Sequence, residues 1–440
     1  MRKHKALLFL VFISFFGGSI QAQEQITLDQ VITLALEKNY DIQLSKNTSK
    51  SAAIDNSYSV GLLLPQVNAV GSTTWNKTEQ EFIFANETQN RKGTAKSDNM
   101  AGSLQLVWTL FDGTKMFATR ERLAELAAQG ELNVKDQMVN SIAAVINGYY
   151  SVVRQKQQLV AIRELMSINE ERVKLAEKKL QVGTGGKPEL LQAKVDLNAN
   201  KTLLIQQETL IIQLKDILNG LVGLQLPIPY DVSDSIIINL DLKQEEIGAN
   251  IETKNFALQS SLRSLNVAQF SLRESRAGRS PVLNFNAAYN YNHTNNTQLI
   301  NPFSSLETQT SGYNYGLSIS LPILNGFNIT RNIQQSKINF SRQQLLYDQL
   351  KQTTDINVRN AYVNYDNAKK VLLLEEENIL LAKENVVIAL ESFKQGVATF
   401  IELRTAQQSL ADGYNRLINA RYLAKVAETE LLRLSGGLLR

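Results

Sequence analysis

Two periodicities alternate along this chain. Over long stretches apolar residues recur three and four positions apart, and over four short stretches they recur at every second position. The first spacing predicts amphipathic helices and the second predicts strands with one apolar face. Leu159, Ile162, Met166, Asn169, Val173, Ala176 and Leu180 step alternately by three and four, as do Leu372, Glu375, Ile379, Ala382, Val386, Ala389 and Phe393. A shorter series follows each: Leu190, Ala193, Leu197, Asn200 and Leu204, then Leu403, Ala406, Leu410, Gly413 and Leu417. A mean step of 3.5 is that of coiled-coil packing. Gly183 and Gly396 stand between the paired series and predict tight turns, so that each long helix is followed by a shorter antiparallel one.

The alternating stretches are "QVNAVGSTTW" (66–75), "SLQLVWTL" (103–110), "VLNFNAAYNYNH" (282–293) and "YNYGLSISLP" (313–322). One face carries Leu104, Leu106, Trp108 and Leu110, or Leu283, Phe285, Ala287, Tyr289 and Tyr291; the other carries Ser, Gln and Asn. Such strands suit a transmembrane β-barrel, whose spans are roughly 9–11 residues with lipid on one side and a polar lumen on the other. Trp75, Tyr289, Tyr291, Tyr313 and Tyr315, with Trp108 and Phe111 at the helix-proximal ends, are candidates for the aromatic belts of the two membrane interfaces. Polar segments 76–101 and 294–311 are expected to be loops. Four strands cannot close around a lumen, and open edges are not tolerated in lipid. Several copies must therefore share one barrel, and three copies supply twelve strands.

The chain is also written twice. "FKQGVATFIELRTAQ" (393–407) repeats "LQVGTGGKPELLQAK" (180–194) at an offset of 213, which also relates "LFDG" at Gly113 to "ILNG" at Gly326 and "NGYY" at Tyr149 to "NAYV" at Tyr362. Further upstream the offset is 216, joining "KNYDIQ" at Asn39 to "KNFALQ" at Asn255. Two structural repeats follow. The expected organisation is a signal segment at 1–22, then a first repeat at 23–222 with a helix over 28–60, strands at about 66–76 and 102–110, a long helix over 114–182 and a returning helix over 188–220. A linker at 223–244 leads to the second repeat at 245–440, with a helix over 246–278, strands at about 282–293 and 313–321, a long helix over 327–395 and a returning helix over 399–435.

Composition narrows the function. Arg2, Lys3 and Lys5 precede an apolar run from Ala6 to Phe16, and Ala22 marks the expected cleavage point of a secretory signal. Its loss takes the formal charge from +4 to about +1, so nucleic acid is not an expected partner. The chain has no cysteine and two histidines, His4 and His293. That excludes disulfides, thiolate metal sites and a cysteine nucleophile, and leaves little for a histidine triad or metal cluster. No cofactor, metal or catalytic residue is expected. The glycines before Lys187 are not a phosphate loop either. Five residues before Gly186 stands Gln181 rather than Gly, and Pro188 replaces the required hydroxyl.

The doubled order of helix, two strands, long helix and returning helix, the two Gly turns, and the "ELLQA" and "ELRTA" starts of the returning helices together resemble the outer-membrane efflux family of TolC type. The resemblance covers nearly all of the chain after the signal. It implies a homotrimer in the Gram-negative outer membrane, with a twelve-stranded β-barrel continued by a long periplasmic α-barrel, fed by a periplasmic adaptor and an inner-membrane pump. It places the Gly turns at the periplasmic tip, which makes Gly183, Thr184, Gly396 and Val397 the expected adaptor contacts. The family's constriction acids fall on Glu402 and Thr405, with Glu189 as the first-repeat acid, so one acid is missing. Its Tyr and Arg latch falls on Phe393 and Ala398, so the charged latch is absent. Glu189 and Glu402 are equally read as acids favoured at a helix N-terminus. The alternative architecture is a secreted coiled-coil structural or adhesive protein with a small soluble β domain.

Overall fold

The computed structural model describes residues 24–223, 230–248, 251–301 and 303–439. The signal segment lies outside them, as do linker residues 224–229. In chain order the elements are β1 (Glu24–Ile26), α1 (Leu28–Lys38), α2 (Tyr40–Ser57), β2 (Gln66–Phe82), β3 (Arg91–Phe111), α3 (Lys115–Gln181), α4 (Lys187–Val222), β4 (Tyr230–Val232), α5 (Gln244–Gly248), α6 (Ile251–Lys254), α7 (Phe256–Ala277), β5 (Val282–Gln298), β6 (Glu307–Ser320), α8 (Asn328–Lys394) and α9 (Phe400–Leu434). They divide into two compact units. One holds the residues up to Ser45, Val134–Phe256 and those from Gln352 onward; the other holds Lys46–Asn133 and Ala257–Lys351.

The first unit is helical, apart from a short parallel pair of β1 with β4. Its heptads are visible as burial: Leu372, Ile379, Val386 and Phe393 on α8 are buried at intervals of seven, and the first three pack in one cluster with Ala406, Leu410 and Leu417 of α9. A second cluster packs Val31, Val145, Tyr149, Leu218 and Val232. Tyr149 sits at its centre, donating to the Ile26 carbonyl at 3.0 Å and accepting from the Ser233 amide at 3.0 Å, so its buried hydroxyl is satisfied.

Two helices expected to be continuous are broken. The span 28–60 breaks at Asn39, and the span 246–278 breaks at Asn255. The cause is a meeting of chain segments. Asn39 donates through Nδ2 to the Leu221 carbonyl at the end of α4, and Asn255 donates to the Leu434 carbonyl at the end of α9. Just beyond, Gly223 and Gly436 press against the Lys38 and Lys254 carbonyls, where an added Cβ would lie 2.6 and 2.4 Å away. The repeated "KN" thus marks where a helix breaks so that its Asn can cap the last carbonyls of a returning helix.

The second unit holds an antiparallel sheet of order β2-β3-β5-β6. The strands run to 17, 21, 17 and 14 residues, well past the expected boundaries. The polar loops expected at 76–101 and 294–311 are mostly strand, leaving short connections at 83–90 and 299–306. Apolar alternation reports only where one face meets an apolar surrounding. The backbone ladder continues beyond it, because each amide still finds its partner across the pair.

Candidate functional site

At the first hairpin tip, α3 stops at Gly183, whose φ is 76°, and the Thr184 and Gly185 amides donate back to the Lys179 carbonyl at 2.9 and 3.0 Å. The second tip repeats this: Gly396 has φ of 77°, and the Val397 and Ala398 amides reach the Ser392 carbonyl. This pattern closes a helix C-terminus through a left-handed residue, which glycine adopts at little cost. Gly183, Thr184, Gly396 and Val397 are all exposed.

The returning helices start differently. Before α4 stands Gly186, with no side-chain cap, and then Pro188 and the partly exposed Glu189 in the first turn. Before α9, Thr399 and Glu402 form a reciprocal capping box. The Thr399 amide donates to Glu402 Oε2 at 2.7 Å, and the Glu402 amide donates to Thr399 Oγ1 at 3.3 Å. Thr405 donates its hydroxyl to the Ile401 carbonyl of its own helix. Phe393 is buried, with the Phe400 ring 6.4 Å away and Lys179 Nζ 3.8 Å from its ring centre; that ammonium also donates to the Phe393 carbonyl at 2.8 Å.

Sequence reasoning missed the most buried charge near these tips. Arg172 of α3 is 1% exposed, whereas the neighbouring seam residue Val173 is only half-buried. Its guanidinium donates to Asp196 of α4 and to Gln407 Oε1 of α9 at 2.7 Å, and lies over the Phe400 ring. Arg404 reaches the same Asp196 at 3.4 Å. Burial pulls the Arg172 guanidinium below its usual range, and Asp196 opposes that shift. The tie joins both hairpins of one chain. The repeat offset held a clue: positions 385 and 409, the counterparts of Arg172 and Asp196, are Asn385 and Ser409. A charge pair present in one repeat and absent from the other is a feature the common architecture does not require.

On the sheet, register assembles the aromatics. Phe285 lies opposite Trp108 and Leu317; Tyr289 lies opposite Leu104 and Tyr313; Ala287 lies opposite Leu106 and Tyr315. Tyr291 follows on the same face. A register shift between Thr109 and Phe111 sets Phe111 opposite Leu283, which brings it to the face of Trp108 despite its odd spacing. Trp75 pairs with Asp98, ten residues from Trp108 along β3. That is roughly 33 Å of strand, or about 25 Å of height at a barrel-like tilt, the height of an outer-membrane apolar band. The opposite face is polar and internally bonded, as in Asn286 to Ser318 at 2.9 Å and Asn290 to Asn314 at 2.8 Å.

Further apolar rows stay bare. On α8, Leu373, Leu380 and Val387 form one exposed row, and Leu374, Leu381 and Ile388 form another, each at intervals of seven. Ile205 and Ile212 do the same on α4. Among the described residues no helix is long and apolar enough to cross a membrane, and no group of three acidic or histidine side chains is placed to hold a metal ion.

The sequence matches the model of the family described as outer membrane efflux protein over residues 31–224 and 249–437. It is 20% identical over 433 residues to the outer membrane protein TolC of Salmonella enteritidis, covering 96% of this chain and 84% of that one. A match to the protein CyaE of Bordetella pertussis, 21% identical, spans 65% of this chain and 61% of the relative, so there the chain covers less than two thirds of its relative. In structure it is similar to the outer-membrane channel OprN, with a TM-score of 0.79 at 15% identity, over 93% of this chain and 90% of the other.

Proposed function

The chain belongs to the outer membrane efflux protein family, and on that premise we propose that three copies form a passive export duct, loaded from the periplasm by an adaptor and an inner-membrane pump. The observation that carries the proposal is the four-stranded sheet with an apolar face and two edges, on β2 and β6, that pair with no further strand among the described residues. In lipid those edges need partners, and a ring of identical sheets supplies them without exposing backbone. The bare heptad rows on α8 and α4 support the same assembly, because a second apolar seam on a coiled-coil helix is buried only by another helix.

In this assembly the long helices continue the barrel into the periplasm, and the strand hairpins at 83–90 and 299–306 face outward. Gly183, Thr184, Gly396 and Val397 meet the adaptor, and Glu189, Glu402, Thr405 and Phe393 surround the narrow mouth. With the family's charged latch absent, closure rests on Arg172, Asp196 and Gln407 and on the Lys179 contact with Phe393. The polar sheet face lines a wet lumen, and Trp75, Trp108, Phe111 and the four tyrosines face the membrane at and between its interfaces.

Light scattering of the detergent-solubilised protein tests this. Three copies of the 49.2 kDa chain less the signal give a protein mass of about 140–150 kDa. A monodisperse monomer that needs no detergent overturns the proposal and supports the secreted coiled-coil alternative.

A further inference from the structure

The ladder joining β2 and β3 holds a pairing that the sheet itself does not explain. On the face of Trp75 and Trp108, Lys77 stands directly opposite Lys96. Like charges placed opposite one another across an antiparallel pair are unfavourable. The same ladder pairs charges where it can: two steps further, Glu81 faces Lys92 and bonds it at 2.9 Å. At the Lys77 row both side chains are exposed. Glu79 and Asp98 flank the row on the same face. Among the described residues, neither of these acids and neither lysine is in an ion pair.

A second, independent feature lies on the same two strands. Six residues from Lys77, Gly71 stands opposite Gly102. An added Cβ at either would meet nothing within 4 Å. Two facing glycines remove one row of side chains from the apolar face and leave an open slot beside Tyr291, which pairs with Gly102. The slot lies roughly 20 Å along the strands from the lysine pair, with Trp75 between them.

From these features we infer that the β2–β3 ladder is a specific site for a phosphate-bearing lipid of the outer leaflet, its phosphate held by Lys77 and Lys96 and an acyl chain laid in the Gly71–Gly102 slot. The inference rests on the membrane orientation proposed above. In that frame Lys77 and Lys96 lie one step beyond the outer aromatic level, at headgroup height, and the glycines lie within the apolar band. A phosphate relieves the repulsion of the two ammonium groups by charge-assisted hydrogen bonds. The slot accepts a methylene chain with no side chain to displace. An unbound phosphate does not use the slot, so the occupant is a lipid.

Native mass spectrometry of the full-length protein in detergent tests the site, with lipid A and dephosphorylated lipid A as probes and bilayer conductance measured on the same preparations. The native protein should retain lipid A in preference to the dephosphorylated form. Lys77→Gln with Lys96→Gln should abolish that preference, weakening lipid A binding by about 30-fold for two lysines facing an anionic headgroup. Lys92→Gln, outside the site, should leave it intact. Gly71→Val with Gly102→Val should weaken both forms alike by filling the slot. Equal retention of lipid A by the native and the Lys77→Gln, Lys96→Gln proteins overturns the inference while normal conductance leaves the duct standing. A native protein that neither conducts nor inserts overturns both.

Discussion

The face assignment of the sheet is tested most sharply by an arginine placed at neighbouring positions of one strand. Leu104 lies four residues from Trp108 and six from Asp98, the partner of Trp75, so it sits near the middle of the apolar band. It is half exposed, facing Ala69 and Tyr289 across the ladders. Gln105, the next residue, points to the opposite, polar face and bonds Ser103. Phe285 shares the face of Leu104 but stands at the level of Trp108. A lipid-facing arginine costs about 2–4 kcal/mol at the midplane and about 0–1 kcal/mol near an interface. Leu104→Arg should therefore destabilise each chain by a factor of roughly 30 to several hundred, repeated in every copy of the assembly. Phe285→Arg should shift the equilibrium by a factor of about 5 at most, and Gln105→Arg should be tolerated, its side chain in water. Urea unfolding of the protein refolded into vesicles measures all three on one scale. Equal losses from Leu104→Arg and Gln105→Arg would refute the two-faced sheet. A Phe285→Arg loss equal to that of Leu104→Arg would refute the depth derived from the tryptophan levels.

Other expectations concern the helical unit. Asp196→Asn leaves the buried Arg172 without its carboxylate, so the helical melting signal should fall by about 3 kcal/mol and resting conductance should rise; unchanged conductance removes Arg172 from closure. Replacing both Glu189 and Glu402 by Gln should weaken block by multivalent cations in planar bilayers, and block identical to the native protein would leave both as helix-start acids only. Burial, reinforced by Asp216, pushes the Tyr230 hydroxyl up to about 12 from an unfolded value of 10.0. Because the folded chain holds this proton more tightly, its stabilising effect is complete below pH 10 and is lost as pH rises towards 12, a fall of about 2 kcal/mol. Tyr230→Phe should flatten that part of the stability profile, and an unaltered slope would assign it to other groups.

Much of this protein was written in local spacing. A helix face repeats every three and four residues and a strand face every two, so the coiled-coil seams, the Gly183 and Gly396 stops and the apolar face of the sheet could be read without knowing what they touch. The internal offset added the order of elements, because both repeats obey the same local rules. What could not be read depended on residues far away in the chain. The strands run past their apolar stretches because partners across each ladder, nine or more residues away in the chain, keep supplying hydrogen bonds, and only the register with β5 turns Phe111 onto the face of Trp108. The helix breaks at Asn39 and Asn255 exist because Leu221 and Leu434, some 180 residues on, present carbonyls there. Arg172 sits one place from an apolar seam position and looks like a solvated charge until Gln407, 235 residues away, closes over it. Local sequence determines which face of an element is apolar. Whether a polar group on that element is solvated, buried or paired depends on what the rest of the chain brings against it, and that is settled only by tertiary packing.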